Sequence, residues 1–252
     1  MRSFHLCLVC SALLLTGCKD LEGFLKGPPA PAPLLVDVLE DGSPDAVVDL
    51  RAAEEDLSVI LPVLAQRPGS VLRVWGLPQN PSDLRELGQV RSTKASRPAK
   101  RTVVAHERRF VTESMERLVP ALSAYFADAR LTRSPIAESL GRVLLADVPS
   151  GARRVVIVAS DAAEESDLGR FEAPRPLPTI EAFLARLERA GILLPSSACG
   201  TLIVFTHSQP RQGTAALRRY DGIKQLWTAA IARAGGRAVF TTGPIPNETL
   251  NQ

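Results

Sequence analysis

Arg153-Arg154-Val155-Val156-Ile157-Val158-Ala159-Ser160-Asp161 is the stretch that decides the fold. Its apolar run from Val155 to Ala159 shows no polar alternation, so both faces of the strand need a cover, which is the profile of a buried parallel strand. The run closes on an acid. Upstream, Leu34-Leu35-Val36-Asp37-Val38-Leu39 has the same profile with a single acid near its end. Downstream lie Thr201-Leu202-Ile203-Val204-Phe205-Thr206 and Ala238-Val239-Phe240-Thr241. Val71-Leu72-Arg73-Val74-Trp75-Gly76-Leu77 reads as the second strand, and Thr102-Val103-Val104-Ala105-His106 as a short third strand, reached through a polar stretch from Pro78 to Arg101.

Helices fill the gaps between these strands. Ser43-Pro44-Asp45 supplies an N-cap, a first-turn proline and a first-turn acid for a helix carrying Val47, Leu50, Ala53, Leu57, Ile60, Leu61 and Leu64, with a kink expected near Pro62. Phe110, Met115, Leu118, Val119, Leu122, Tyr125 and Phe126 recur at three and four residues and predict a second helix despite Pro120. Ser134 as N-cap and Pro135 at the first position open a third helix through Leu145. Ile180 to Ala190 reads as helical. Thr214 caps a last helix, with Leu217, Tyr220, Ile223, Trp227, Ala230, Ile231 and Ala234 on one face, and Gly235-Gly236 ends it. Alternating strands and helices predict a three-layer, doubly wound α/β domain over 34–243, because each parallel crossover needs a covering helix. The second and third strands have no helix between them, so one antiparallel edge strand is expected; residues 244–252 are read as a C-terminal tail.

The composition agrees with a folded core: 45% of the 252 residues are hydrophobic and 23% are charged. The formal net charge of +3 is too small to argue for nucleic acid, so none is expected as a partner. The amino terminus has a different character. Arg2 precedes an apolar stretch from Phe4 to Leu15, shorter than the roughly 20 residues of a permanent membrane span. It reads as an export signal, and its end, Leu15-Thr16-Gly17-Cys18, resembles the lipobox of bacterial lipoproteins. That resemblance implies loss of residues 1–17 and a lipid, such as diacylglycerol or palmitate, on Cys18. Residues 18–33 then form a tether, stiffened by Gly27-Pro28-Pro29-Ala30-Pro31-Ala32-Pro33. The expected location is the cell membrane or outer membrane, extracytoplasmic and lipid-anchored. Of the four cysteines only Cys199 belongs to the domain; it is read as a small buried hydrophobe before a strand, and no internal disulfide is expected.

The order strand, helix, two strands, two helices, then three strands separated by helices resembles the von Willebrand factor A domain. Leu226-Trp227 before Ala234-Gly235-Gly236 is also similar to the last helix of bacterial lipoprotein relatives. In that family a metal-ion-dependent adhesion site is written Asp-x-Ser-x-Ser after the first strand, Thr before the third helix and Asp after the fourth strand. Such oxygen donors suit Mg²⁺, a hard cation with octahedral demands. Mapped here, the resemblance places Asp37, Asp41, Ser134 and Asp161 in the crevice beyond the carboxyl ends of the first and fourth strands. The first motif then reads Asp37-Val38-Leu39-Glu40-Asp41, in which Leu39 cannot ligate; a second register, Asp49-Leu50-Arg51-Ala52-Ala53, falls inside the first helix. Both registers describe a degenerate site. Protonation, helix N-termini or an arginine are therefore expected, rather than a divalent cation, to compensate the charge of the acids, and Mg²⁺ to stabilise little.

Catalytic motifs are missing. The chain has no Gly-x-Ser-x-Gly, no Asp-x-Asp after the first strand and no phosphate loop. His207-Ser208 are adjacent on an extended chain and point opposite ways, so His207 is read as a strand-end residue meeting solvent rather than a general base. Arg85, Arg91, Lys94, Arg97, Lys100, Arg101, Arg108 and Arg109 outnumber Asp83, Glu86 and Glu107. They read either as a solvated hairpin or as a contact for anionic lipid or an acidic partner, made chiefly by Arg91, Lys94, Arg97, Lys100 and Arg101. The functional expectation is a non-enzymatic, membrane-tethered module that binds a protein of the envelope, with an envelope hydrolase or a metal-dependent adhesion protein using the crevice acids as the rivals.

Overall fold

In the computed structural model of the chain the description covers residues 31–43, 48–93, 100–128, 132–171, 175–209 and 214–251. The signal, Cys18 and most of the tether lie outside it. Six strands form one sheet: β1 Leu34–Glu40, β2 Val71–Gly76, β3 Arg85–Arg91, β4 Arg153–Ala159, β5 Leu202–Thr206 and β6 Arg237–Phe240. Their spatial order is β3-β2-β1-β4-β5-β6, all parallel except β3, which runs antiparallel to β2. The order of elements matches the expectation. The chain reverses its direction of winding between β1 and β4, the place where open α/β sheets bind ligands.

Alternation along β1 sets the layers. Val36 and Val38 face Leu57, Ile60 and Leu61 of α1 (Leu50–Ala65) and Leu118 and Leu122 of α2 (Lys100–Asp128). Leu39 faces the other side, where α3 (Ile136–Leu145), α4 (Ile180–Arg189) and α5 (Thr214–Arg233) cover the sheet. That second layer is built on aromatic residues: Phe171, Phe183 and Phe205 surround the fully buried Trp227 with ring centroids 5.4–6.4 Å from its own. Phe171 and Phe183 meet Trp227 edge-on, a packing that adds to the burial of the rings.

Four expectations need correction. Thr102–His106 is not a strand but the start of α2, and the antiparallel edge strand is Arg85–Arg91. Edge strands exposed on one side carry charge that blunts further pairing, so β3 has no apolar signature. The first helix opens at Leu50, with the side chain of Asp49 accepting from the Ala52 N–H, rather than at Ser43. Residues 244–252 are more than a tail: α6 (Asn247–Asn251) brings Leu250 into the core, and Ile245 is buried beside it. Cys199, finally, is exposed.

Candidate functional site

β1 runs to Glu40, one residue beyond Leu39, and this extension rearranges the expected site. Asp37 sits in the middle of the strand, not at its end. Its Oδ1 accepts from Arg73 Nε at 2.6 Å and Trp75 Nε1 at 3.0 Å, and its Oδ2 from Arg73 Nη2 at 3.0 Å and Arg154 Nε and Nη2 at 3.1 and 3.0 Å. Both arginines come from neighbouring strands, Arg73 at the position paired with Asp37 on β2 and Arg154 near the start of β4. Arg154 also donates to the carbonyls of Val143, Leu144 and Ala146, closing the carboxyl end of α3. Two guanidiniums therefore saturate Asp37, and it belongs to the scaffold rather than to the crevice.

Asp41, four residues on and facing the same side of the sheet, takes the crevice position. It follows the last residue of β1 and is fully buried. Its Oδ1 accepts from the Ser43 N–H at 3.0 Å and the Ser134 hydroxyl at 3.1 Å, and its Oδ2 from the Ser160 hydroxyl at 2.8 Å. Burial pushes its carboxyl above the usual range, against the lowering effect of the hydrogen bonds from Ser43, Ser160 and Ser134. Asp161, next to Ser160, accepts from the Ala163 N–H at 2.9 Å and is partly exposed. Ala162 has φ of 65°, a left-handed conformation uncommon outside glycine, and its carbonyl accepts from Trp227 Nε1, which anchors the loop to the core.

Tyr125 of α2 fixes the other wall. Its ring lies over Gly76, where an added Cβ would meet a ring carbon at 2.6 Å, so only glycine leaves room. The phenol donates to the carbonyls of Glu40 and Leu77 and accepts from the Gly42 N–H. It thereby holds the turn after β1 in place. Burial first, and the charge of Asp41 second, raise its pKa, so it stays a phenol.

Of the expected set, the structure joins Asp41 and Ser134 directly, leaves Asp161 next in sequence to Ser160 with its carboxylate on the Ala163 N–H, and removes Asp37. Ser134 does not cap α3: Pro135 holds the cap position, and the Glu164 carboxylate accepts from the Ala137 N–H at 2.8 Å. Ser43 and Ser160 were missed. The signal for Ser43 was present in Asp41-Gly42-Ser43-Pro44-Asp45, an Asp-x-Ser that starts where β1 actually ends; Pro44 to Val47 lie outside the described residues. Nothing local in the sequence marked Ser160 as a partner of Asp41.

A second acidic group occupies the opposite face of the same edge. Glu40 is buried with Oε2 unpartnered; burial, then Asp56 and Asp41, push its carboxyl well up. Asp56 of α1 accepts from the Thr206 hydroxyl at 2.9 Å and the Ile245 N–H at 2.7 Å, and lies 3.2 Å from Nε2 of His207. His207 is buried rather than solvent-facing. Burial opposes its charge, yet Asp56 more than offsets this and its pKa is raised. The Ser208 hydroxyl accepts from Tyr220 of α5, so the adjacent pair does point to opposite faces.

The donor set at Asp41 suits a hard cation in kind: a buried carboxylate and serine hydroxyls, with no guanidinium or ammonium donating to Asp41 among the described residues. Among the described residues no three histidine, cysteine, aspartate or glutamate side chains gather as a metal site, so a cation here would depend on hydroxyls. In the expected basic cluster, Arg91 is exposed at the end of β3; Lys94, Arg97 and the side chains of Lys100 and Arg101 lie outside the described residues.

No protein-family model matches the chain, and no curated protein matches it. Among solved structures it is similar to a von Willebrand factor type A protein from Catenulispora acidiphila, at 14% identity and a TM-score of 0.38, over 87% of this chain and 40% of that longer one. It is also similar to BatB from Bacteroides thetaiotaomicron, at 12% identity and a TM-score of 0.42, over 86% of this chain and 94% of that one. An aerotolerance-related membrane protein from Bacteroides fragilis NCTC 9343 gives 10% identity and a TM-score of 0.39, over 86% and 95%. Likenesses this distant bear on neither partner nor activity. What the chain possesses by its own geometry is a mixed six-stranded α/β sheet with a hydroxyl-lined acid at its switch point.

Proposed function

We propose that the protein is a membrane-tethered, extracytoplasmic interaction module of the cell envelope, which engages a protein partner at the crevice around Asp41 and is not an enzyme. One observation carries this reading: a fully buried carboxylate at the β1–β4 switch point, held among the described residues by the Ser43 N–H and the hydroxyls of Ser134 and Ser160. If Mg²⁺ binds, Asp41, Ser43, Ser134 and Asp161 are the residues to hold it, and it would supply a Lewis-acid position for a partner's carboxylate. The protein's own part is to keep that position rigid. Tyr125 holds the β1 turn and Trp227 holds the β4 loop, so a partner would meet a preformed surface.

The tether half of the reading rests on Leu15-Thr16-Gly17-Cys18. No helix among the described residues is long and apolar enough to cross a membrane. The hydrolase alternative has a buried His207–Asp56 pair in its favour, but of the two hydroxyls next to His207 in sequence Thr206 donates to Asp56 and Ser208 faces away toward Tyr220.

Crosslinking in the native envelope followed by pull-down tests the module. The expected result is a protein partner recovered with the wild-type chain and lost with Asp41→Ala. Equal recovery with both, or turnover of a small substrate by the purified chain, overturns the reading. For the tether, Cys18→Ser is expected to leave the domain folded and move it out of the membrane fraction; retention in membranes with an uncut signal would refute lipidation.

A further inference from the structure

The loop that follows β4 is folded back on itself. Glu165 and Arg170 form a backbone bridge, the Ser166 N–H donates to the Gly169 carbonyl, and the Phe171 N–H donates to the Glu164 carbonyl, both at 2.8 Å. The Ser166 hydroxyl accepts from the Leu168 N–H at 3.0 Å. Gly169 lies against the Phe171 ring, where an added Cβ would meet a ring carbon at 2.7 Å, so the turn has room for glycine alone. Phe171 is itself buried against Phe183 and Trp227. This hairpin is therefore held in one shape before any ligand arrives. A second wall is made by residues 175–178. Arg219 of α5 donates to the carbonyls of Phe171 and Arg175, both at 2.7 Å, and Leu177 packs on Gly222 of α5, where a Cβ would meet its Cδ1 at 2.7 Å. Pro176 and Pro178 fix φ on either side of Leu177. Arg186 of α4 closes the third side, donating through Nη1 to the Leu168 carbonyl at 3.1 Å.

Between these walls lies an open cleft of about 560 Å³, bordered by Ser166, Asp167, Arg170, Arg175, Leu177 and Arg186. That size falls within the range of small-molecule sites, roughly 300–1,000 Å³. Three guanidiniums face one carboxylate across it, and Asp167 is already engaged by Arg133 at 2.8 Å. Among the described residues the side chains of Arg170 and Arg175 have no ion pair, and Arg186 uses one nitrogen on a carbonyl. Like charges drawn into one cleft repel one another and focus a positive field there, which favours an anion. Guanidinium forks match the oxygens of phosphate and carboxylate alike. The number of cations separates the two. A single carboxylate leaves two of the three arginines without a counter-charge, whereas a phosphate monoester carries about −1.5 to −2 at neutral pH and offers three strong acceptor oxygens. The rest of the volume, with Leu177 beside it, accommodates the organic group that the phosphate is attached to.

We infer that this cleft is a binding site for a phosphorylated compound, in which Arg170, Arg175 and Arg186 meet the phosphoryl oxygens and Leu177 meets the group that carries them. The inference goes beyond the interaction module and depends neither on the tether nor on a cation at Asp41. The two sites are nevertheless joined through one loop. It begins at Ser160, which donates to Asp41, and its Glu165 N–H donates to the carbonyl of Ser134, the other hydroxyl residue on Asp41, at 3.0 Å. A ligand in the cleft thus sits on the same loop that shapes the crevice.

Calorimetric titration of the full chain with inorganic pyrophosphate, at constant ionic strength, reads the site. Saturable binding of one pyrophosphate per chain is expected, tighter than that of orthophosphate and weakened by about 10-fold or more in Arg170→Ala/Arg175→Ala, since each charge-assisted hydrogen bond lost is worth about that factor. Both arginines are exposed, so this variant is expected to keep the wild-type melt. Arg170→Lys/Arg175→Lys, which retains the charges but not the forks, is expected to bind more weakly than the wild type as well. No saturable binding overturns the site, and equal affinity in the wild type and both variants overturns it as an adventitious ion only. A tri-glutamate peptide that binds more tightly than pyrophosphate overturns the phosphate assignment and makes an acidic protein segment the ligand. Two further arms give the source of the phosphate. Displacement of pyrophosphate by vesicles containing phosphatidic acid, but not by phosphatidylcholine alone, supports the site with a lipid headgroup as its ligand; displacement by neither supports it with a soluble phosphate compound.

Discussion

Asp37 and Asp41 stand four residues apart on one strand, on the same face of the sheet, both fully buried. Their surroundings differ in kind. Asp37 is met by two guanidiniums and an indole, Asp41 by one backbone N–H and two serine hydroxyls. Cationic partners neutralise a buried carboxylate and make it part of the scaffold, whereas neutral donors orient it and leave its charge available to a cation or partner. Position along the strand decides which happens. The middle of β1 is flanked by β2 and β4, whose arginines reach Asp37, while the end of β1 is flanked by turns that offer hydroxyls and amides.

The sharpest way to break this contrast is to remove Asp37. Asp37→Ala would strand Arg73 and Arg154 in the core and free the carbonyl cap of α3 from its anchor. Loss of one partner from a buried ion pair typically costs about 3–5 kcal/mol, so denaturant unfolding should show a loss of that order. A loss under about 1 kcal/mol would mean that the arginines do not depend on Asp37.

The second expected effect belongs to Asp41. Mg²⁺ at 100 times its dissociation constant would stabilise by about 2.7 kcal/mol, a shift removed by chelator and absent in Asp41→Asn. The reading from sequence, with Leu39 at the middle position of the motif, expects little stabilisation, and the same melt decides between the two. A melt indifferent to chelator in both proteins would return Asp41 to a structural role.

A third buried carboxyl extends the comparison. Glu164 also has no cationic partner among the described residues, and burial followed by the charge of Glu138 pushes its pKa well above the usual 4.5. A raised folded pKa means the native state keeps a proton that the unfolded chain has released. Its stabilising contribution is complete below the unfolded pKa and is lost as pH rises through the folded one. Glu164→Gln should therefore remove up to about 1.4 kcal/mol per pH unit of downward slope across that window, gaining on the wild type as pH rises. Parallel stability profiles for the two proteins would show that Glu164 titrates normally.

The smallest effect tests redundancy. Trp75→Phe deletes one neutral donor to Asp37 but leaves both guanidiniums, so its cost should stay near 1 kcal/mol in the same unfolding assay. Ser160→Ala should cost more, since Asp41 has fewer partners to fall back on. The reverse ranking would show the two sites to be equally buffered.

The layered architecture was legible in the chain because it follows from periodicity. Val155 to Ala159 had to be covered on both faces, and Leu57, Ile60, Leu61 and Leu64 had to present one helical stripe. β3 was not legible. Arg85–Arg91 is polar because an edge strand pairs through its backbone on one side only, and Thr102–His106 looked like a strand because β-branched residues tolerate a helix when its other positions pack. Cys199 shows the same limit: a cysteine's type predicts burial, but only the fold put this one on an edge.

What the sequence alone determined was the number of strands, their alternation with covering helices and the presence of an antiparallel edge, since each of these depends on local pattern; Asp41, Ser134 and Asp161 became residues of interest through the family resemblance. What only the tertiary structure decided was which acid occupies the crevice, for that turns on partners far away in the chain. Arg154 lies 117 residues from Asp37, and Ser160 lies 119 residues from Asp41. A carboxylate's chemistry is set by what donates to it, and those donors arrive only when β2 and β4 settle on either side of β1.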